Sequence, residues 1–350
     1  MGCGHSVATM SLFRTQRVLM TTATLMALLA VFGLVAMMID DRMLLGVSVW
    51  TKPVKFGIAF ALYTATLAWL LDHPHRGRRW TRYLAPLFAV TAIIDVGFIV
   101  LQAARGTFSH FNTAGDPINH YGQIIFASGV PGLFVANLSI AIILLRQRIG
   151  DAAITVAMRI GMVVSVIGMG LGYLVALAGT QVVRDANGDL VELAGGHTFG
   201  ANDGSSGLPI AGWSTVAGDL RIPHFLGLHA MQVLLVVAAL LVLAARRSPW
   251  LRDERVRARL VAVVGTGWAA GVAITLWQAL RGQSIMHPDA RTLLVGSVVA
   301  TVCVACVAAV VGSARSATTT PQSGVVEDDH SRAASTTASP ASAVSGSISH

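Results

Sequence analysis

The sequence predicts an all-α protein, a polytopic membrane helical bundle with eight transmembrane helices. Of the 350 residues, 54% are hydrophobic and only 12% are charged, whereas a soluble domain carries about 25% charged residues. Apolar runs of about 20 residues, the length that crosses a bilayer as a helix, recur along the chain. The eight predicted spans lie at about 18–38, 53–71, 83–104, 124–145, 155–178, 224–244, 260–280 and 292–312.

The two ends of the chain differ in character. The first apolar run follows Arg14 and Arg17, as in a signal peptide, but it is too long for a cleaved core and no clear cleavage site follows. We therefore expect a retained first helix and a transmembrane domain over residues 1–313. Residues 314–350 are rich in Ser, Thr and Ala, a composition that predicts a disordered cytoplasmic tail.

The distribution of Lys and Arg predicts the orientation in the membrane. The formal net charge is +8, but the charges are dispersed over short loops, which favours the lipid bilayer over nucleic acid as the partner. The stretches 72–82, 146–159 and 246–259, together with both termini, hold 17 of the 25 Lys and Arg residues. Since the cation-rich side faces the cytoplasm, we expect both termini there.

The longest outer loop, residues 180–222, is rich in Gly and Asp and is expected to form a partly ordered cap. Its segment 182–191 contains Asn187 and Gly188 between apolar residues, which predicts a β-hairpin. The alternative is a calcium loop formed by Asp185, Asn187, Asp189 and Glu192, although the glycine is misplaced for an EF-hand.

Two parts of the sequence are similar to each other. The third span ends with the segment from Gln102 to Gly106, and the seventh ends with the segment from Gln278 to Gly282. These matches predict two tandem four-helix halves, at about 1–145 and 155–313, with parallel topology. Membrane proteins built from such repeats usually place a binding site at the interface of the halves.

Polar side chains near the outer ends of the spans form the candidate site. Asp95, near the middle of span three, should face the bundle interior, because a carboxylate there costs about 2.5–3.5 kcal/mol on insertion scales. Cations at outer helix ends suit an anionic ligand such as a carboxylate or propionate. The ligand-binding candidates are Asp95, Gln102, Arg105, His110, Arg221, His224, His229, Gln278 and Arg281. The alternative is a structural role, with long side chains reaching the lipid headgroups.

The metal-binding signals are weak. His224 and His229 are candidates, but five residues turn a helix by about 500°, so the two rings point about 140° apart. Cys303 and Cys306 form a CxxC within the last span. A metal or redox pair and simple packing by small side chains both remain open for them.

Three segments resemble a known group of proteins: Trp50 to Phe56, Gln102 to Asn112, and Gly212 to Ala230. They are similar to uncharacterised, actinobacterial-type multi-pass integral membrane proteins with no assigned activity, over spans one to seven. The resemblance implies the bacterial cytoplasmic membrane and nothing catalytic. In architecture alone, two four-helix halves with outer histidines are similar to haem A synthase, whose glutamate–histidine helix motif is absent here.

These observations leave three functions open. The first is an outward-facing polar site that binds a small anionic or redox ligand, with haem or a quinone as the redox candidates. The second is a proton-coupled secondary transporter that uses Asp95 as the proton carrier, and the third is a structural membrane partner. The chain has no Walker loop, no dinucleotide glycine fingerprint and no HExxH motif, so no soluble enzyme class is indicated.

The cation distribution makes a topological prediction. An engineered Ser205→Cys, in the outer loop, should react with a membrane-impermeant thiol reagent in intact cells, because that loop is expected outside. The labelling yield before and after the membrane is opened is the measurement. Reaction only after the membrane is opened would reverse the orientation.

Overall fold

The computed structural model describes residues 12, 15–209 and 211–319, and within them it is an all-α bundle. This confirms the predicted fold class. The helices in chain order are α1 (Arg17–Ile39), α2 (Thr51–Asp72), α3 (Arg78–Ala104), α4 (Pro117–Leu145), α5 (Ala152–Leu171), α6 (Arg221–Leu228), α7 (Ala230–Ala244), α8 (Glu254–Leu280) and α9 (Ala290–Thr319).

Helix length and composition identify a multi-pass membrane protein. Seven helices of the described chain are long and apolar enough to cross a bilayer, counting the extension of α5 by a 3-10 helix to Ala178. The pair α6 and α7 passes the same test together, which gives up to eight spans. The predicted number of eight therefore holds if the bent pair crosses as one unit. Helix α9 continues to Thr319, into the predicted tail, and residues 320–350 lie outside the described part of the chain.

The sixth span is not the single continuous helix that the sequence predicted. It is bent by 45° where α6 meets α7, at His229. Neighbouring helices bind carbonyls next to the bend: Ser165 Oγ donates to Leu228 O at 2.9 Å, and Trp268 Nε1 donates to Leu226 O at 2.8 Å. A broken helix is tolerated within a bilayer because such side chains satisfy the freed backbone groups.

The same pairs of spans are in contact in each half of the bundle. In the first half α1 packs on α2, α3 packs on α4, and α3 also contacts α1 and α2. In the second half α5 packs on the α6–α7 pair, α8 packs on α9, and α8 also contacts α5 and the α6–α7 pair. Helices α4 and α5 contact each other and join the two halves.

The loops at one end of the bundle fold into a cap of short strands. The predicted hairpin is confirmed: β3 (Gln181–Arg184) pairs antiparallel with β4 (Leu190–Leu193). Two smaller pairs are β1 (Met43–Leu44) with β2 (Val47–Ser48), and β5 (Thr198–Phe199) with β6 (Gly218–Asp219). Asp185 is committed to the hairpin turn, where its Oδ1 accepts from the Asn187 and Asp189 amides at 2.9 and 3.1 Å.

Glycine allows α5 and α6 to touch. A Cβ at Gly168 would lie 2.5 Å from the backbone of Gly227, whereas a Cβ at Gly170, on another face of α5, would meet its nearest neighbour at 4.0 Å. Gly168→Ala is therefore expected to destabilise the protein by about 1–3 kcal/mol through overpacking. The melting temperature in detergent measures this effect.

Gly170→Ala is the matched control, since it makes the same change on the same helix with room for the methyl group. We expect its melting temperature to equal or exceed that of the wild type. Equal losses in the two variants would show that the close α5–α6 contact is not what stabilises this part of the bundle.

Candidate functional site

A cavity of about 830 Å³ lies under the cap, between the two halves of the bundle. Its walls come from α2, α3 and α4 of the first half, from the α5 extension and α6 of the second half, and from the loops at 105–111 and 193–214. Most of its surface is apolar, with aromatic rings that include Phe56, Phe126 and Trp213. Its volume lies within the range of about 300–1,000 Å³ that is typical of small-molecule sites.

Three cations line the outer part of this cavity. Lys52 Nζ donates to His110 Nδ1 at 2.7 Å, and Lys55 Nζ donates to the Ala211 carbonyl at 2.6 Å. Neither lysine forms an ion pair with a carboxylate of the described chain. Arg221, by contrast, is neutralised by the fully buried carboxylate of Asp219 at 2.6 Å. With the Asp203 carboxylate, which also lines this part of the cavity, three cationic side chains face two carboxylates, so an excess of positive charge remains.

His110 is held in a cage of aromatic rings. Its ring centroid lies 4.5 Å from that of Phe126, 5.9 Å from Phe111 and 6.0 Å from Phe56. Burial lowers the pKa of His110 well below its usual 6.5, and the charge of Lys52 adds to this effect. The neutral ring accepts from Lys52 at Nδ1, so its proton is on Nε2.

Two other histidines have the opposite tautomer. His224 Nδ1 lies 2.7 Å from the Gly168 carbonyl, which can only accept, so the proton is on Nδ1 and Nε2 keeps a lone pair. His197 Nδ1 contacts the Asp203 carboxylate at 2.7 Å in the same way. Burial raises the pKa of Asp203, but hydrogen bonds from His197 and Thr198 outweigh it and hold that pKa well below its ordinary value.

Asp95 lines the deeper part of the cavity. It is only 4% exposed, and its Oδ1 has no hydrogen-bond partner among the described residues. The predicted inward direction of this side chain is observed, but no side chain of another helix among the described residues bonds to Oδ1. Gly129 of α4 makes room for this carboxylate, because a Cβ there would overlap Oδ1.

The structure divides the nine predicted site residues into two groups. Five of them line the cavity: Asp95, His110, Arg221, His224 and His229. The other four, Gln102, Arg105, Gln278 and Arg281, are not among its lining residues. Their side chains bind neighbouring loops instead. Their positions along the sequence did not predict these contacts.

These four residues make corresponding contacts in the two halves. Gln102 Nε2 donates to the Phe108 carbonyl, and Gln278 Nε2 donates to the Ser284 carbonyl, six residues on in each case. Arg105 pairs with Asp116, whose carboxylate caps α4. Arg281 pairs with Asp289, which accepts from the Thr292 amide at the start of α9.

Sequence reasoning did not include several cavity residues among its candidates. Lys52 and Lys55 were not among the candidates, and only the fold shows that both line one cavity. Tyr63 lies on α2 and donates to Asn137 Oδ1 at 2.9 Å below the cavity. His197 and Asp203 belong to the cap, and no local motif marks a contact between residues of an irregular loop.

A chelating metal site is absent from the described residues. No group of three or more His, Cys, Asp or Glu side chains there is close enough to hold a metal ion. His224 and His229 each line the cavity, but they belong to different helical segments. Cys303 and Cys306 lie on α9 as free thiols, away from the cavity.

Comparison with known proteins adds no relative: no family model, curated sequence or solved structure matches this chain. The family expected from the three quoted segments therefore stays a prediction. What can be argued about function comes from the cavity and the side chains around it.

The environment of His110 predicts a dependence of stability on pH. Because its folded-state pKa lies below 6.5, only the unfolded chain takes up the proton as the pH falls below that value, and stability is lost. The melting temperature in detergent should therefore decrease between pH 7.5 and pH 5.5. Asp203 does not contribute in this window, since its ordinary pKa is 3.8.

His110→Phe is the control, because a phenyl ring suits the aromatic cage and does not titrate. We expect the melting temperature of this variant to change less over the same pH range. An unchanged pH dependence would mean that His110 is not held neutral by its surroundings.

Proposed function

We propose that the protein is a multi-pass protein of the cytoplasmic membrane whose outward-facing cavity binds a small anionic ligand. The observation that carries this proposal is the pair Lys52 and Lys55, which reach the same large, mostly apolar cavity without a carboxylate partner in the described chain. Buried cations without counter-charges are costly. A bound anion would supply the missing charge through charge-assisted hydrogen bonds.

The placement of the cavity on the outer side rests on the charge distribution. The loops that cap the cavity belong to the side with eight of the 25 Lys and Arg residues. The opposite end holds the cation-rich loops, where Arg148 pairs with Glu254 and Arg257 pairs with Asp151. The positive-inside rule then puts the cavity on the outer face, within reach of ligands outside the cell.

The similar packing of the two halves supports an internal repeat. Both third spans of the halves end in a Gln–Ala–x–Arg–Gly segment whose glycine has positive φ, 73° at Gly106 and 71° at Gly282. In both halves the arginine of this segment pairs with an Asp at the start of the next helix. The cavity lies between these halves, where proteins of repeated architecture usually bind their ligands.

The histidine tautomers distinguish the redox candidates. His224 keeps a lone pair on Nε2, so this nitrogen can ligate a metal centre such as haem iron but cannot donate a hydrogen bond to a quinone carbonyl. His110 carries a proton on Nε2 and can donate to a quinone oxygen. An absorption spectrum of the purified protein with elemental analysis separates these candidates: a Soret band with iron supports haem, and its absence leaves a quinone or a colourless anion.

A second candidate is proton-coupled transport. Asp95 favours it. Its side chain is buried at the deep end of the cavity, and Oδ1 has no partner among the described residues. Such an acid can take up or release a proton when the cavity opens to one side of the membrane or the other. Transport of an anion into membrane vesicles that carry the protein, with and without a proton gradient, tests it. A structural partner role is the outcome if the cavity binds nothing.

Removal of either lysine charge should weaken anion binding. Lys52→Met and Lys55→Met keep most of the side-chain volume, and each should weaken the binding of octanoate by roughly tenfold or more, because a charge-assisted hydrogen bond contributes about 1.5–3 kcal/mol. Isothermal titration in an uncharged detergent is the measurement.

Arg184→Met is the matched control, since this arginine lies on the exposed hairpin and hydrogen-bonds only within it, to the Gly188 carbonyl. Its octanoate affinity should equal that of the wild type. Octanoate affinities that are equal in all four proteins would rule out the lysine site.

A further inference from the structure

We propose that the ligand of this cavity is bipolar: an acid group binds at Lys52 and Lys55, and an amino group about 10 Å away along the ligand binds at Asp95. The inference rests on the proposed function, since it assumes the anion site at the lysines, and it adds the chemical class of the ligand. The inference is based on the opposite charges at the two ends of the same cavity.

The carboxylate of Asp95 is available to a ligand. The side chain lines the cavity, and the residue is 4% exposed. Oδ1 is buried against Gly129 and receives no hydrogen bond from the described residues, so a ligand would bind the carboxylate through its other oxygen, Oδ2. No described Lys or Arg lies within ion-pair distance of it. An enclosed acceptor without a donor is rare in folded proteins, and an acid within a bilayer that faces a cavity commonly marks a ligand pathway.

The geometry of α4 preserves the space for this carboxylate. Gly129 faces Asp95 across the α3–α4 contact, and a Cβ at position 129 would overlap Oδ1, so the Asp95 side chain would have to shift. The absence of a side chain at position 129 is therefore compatible with the observed position of the carboxylate.

The distance between the lysines and Asp95 is about the length of a small extended ligand. Lys52 Nζ is 2.7 Å from His110 Nδ1, and the loop that holds His110 is bound by Gln102, whose Nε2 donates to the Phe108 carbonyl. Asp95 lies seven residues before Gln102 on α3, which is about 10 Å deeper along the helix axis. The lysine and the carboxylate are therefore on the order of 10 Å apart, with apolar wall between them.

The apolar wall determines the middle of the ligand. Phe56, Phe126, Val130 and Met169 lie around this part of the cavity, so the segment between the two charged groups should be a hydrocarbon chain or ring. A ligand with both ends charged and an apolar middle supplies a counter-charge to each of the two charged regions of the cavity. An anion without the amino group would leave Asp95 buried next to apolar surface, which is unfavourable.

A series of straight-chain ω-amino acids tests the inference on the wild-type protein. The probes are 4-aminobutanoate, 6-aminohexanoate, 8-aminooctanoate and 12-aminododecanoate, each compared by isothermal titration with the fatty acid of the same chain length. We expect the amino group to improve affinity roughly tenfold or more in the middle of the series and little at the short end. An amino group that improves binding at no chain length overturns the inference, while the proposed anion site stands if the fatty acids bind.

The Asp95→Asn variant tests whether Asp95 is the residue that binds the amino group. It keeps the shape of the side chain and removes its charge, so 8-aminooctanoate should bind it no more tightly than octanoate does. Octanoate should bind this variant at least as tightly as it binds the wild type, because the charge that its apolar chain would bury has been removed. Retained octanoate binding also shows that the variant is folded. If 8-aminooctanoate binds Asp95→Asn more tightly than octanoate does, by the same factor as in the wild type, Asp95 does not bind the amino group. If the wild type does not bind octanoate at all, the proposed function itself is overturned.

Discussion

The close contact between α5 and α6 at Gly168 and Gly227 positions the second-half side of the cavity. It brings the Gly168 carbonyl to His224 Nδ1 at 2.7 Å, and Gly172, one turn further on, leaves space for that ring. Helix α7, beyond the bend at His229, also packs closely on α5, because a Cβ at Gly161 would lie 2.5 Å from the Met231 backbone. The hydrophobic effect contributes little between helices in lipid, so small residues stabilise such crossings by letting the helices approach closely enough for van der Waals packing.

Irregular backbone is confined to places where its polar groups can be satisfied. The strands of the cap, the 3-10 extension of α5 and the bend of the sixth span all lie at or near the end of the bundle that carries the cap, around the cavity. In the hydrocarbon region, backbone that is not helical is tolerated only next to protein or a polar cavity. The cavity and the irregular segments therefore depend on each other, and a closed bundle of straight helices could not present the same side chains.

The cap does more than cover the cavity. Ala211 and Gly212 give their carbonyls to Lys55 and Arg221, each at 2.6 Å, so two cavity cations hold one turn of the cap in place. An anionic ligand that binds these cations would compete with the turn. Binding and cap movement are therefore coupled in this arrangement, as is common for the loops that close over ligand sites.

The sequence by itself determined the helices, because a 20-residue apolar run has only one way to satisfy its backbone in lipid. It also determined the hairpin at Asn187-Gly188 and the inward direction of Asp95, since each depends on local chemistry. Which polar residues share one space was decided by the tertiary structure. Gln102 and Arg105 bind loops while Lys52 and His197 reach the cavity, and the bend at His229 depends on Ser165 and Trp268 of other helices. Such contacts join residues that are far apart in the chain, so no spacing along it encodes them.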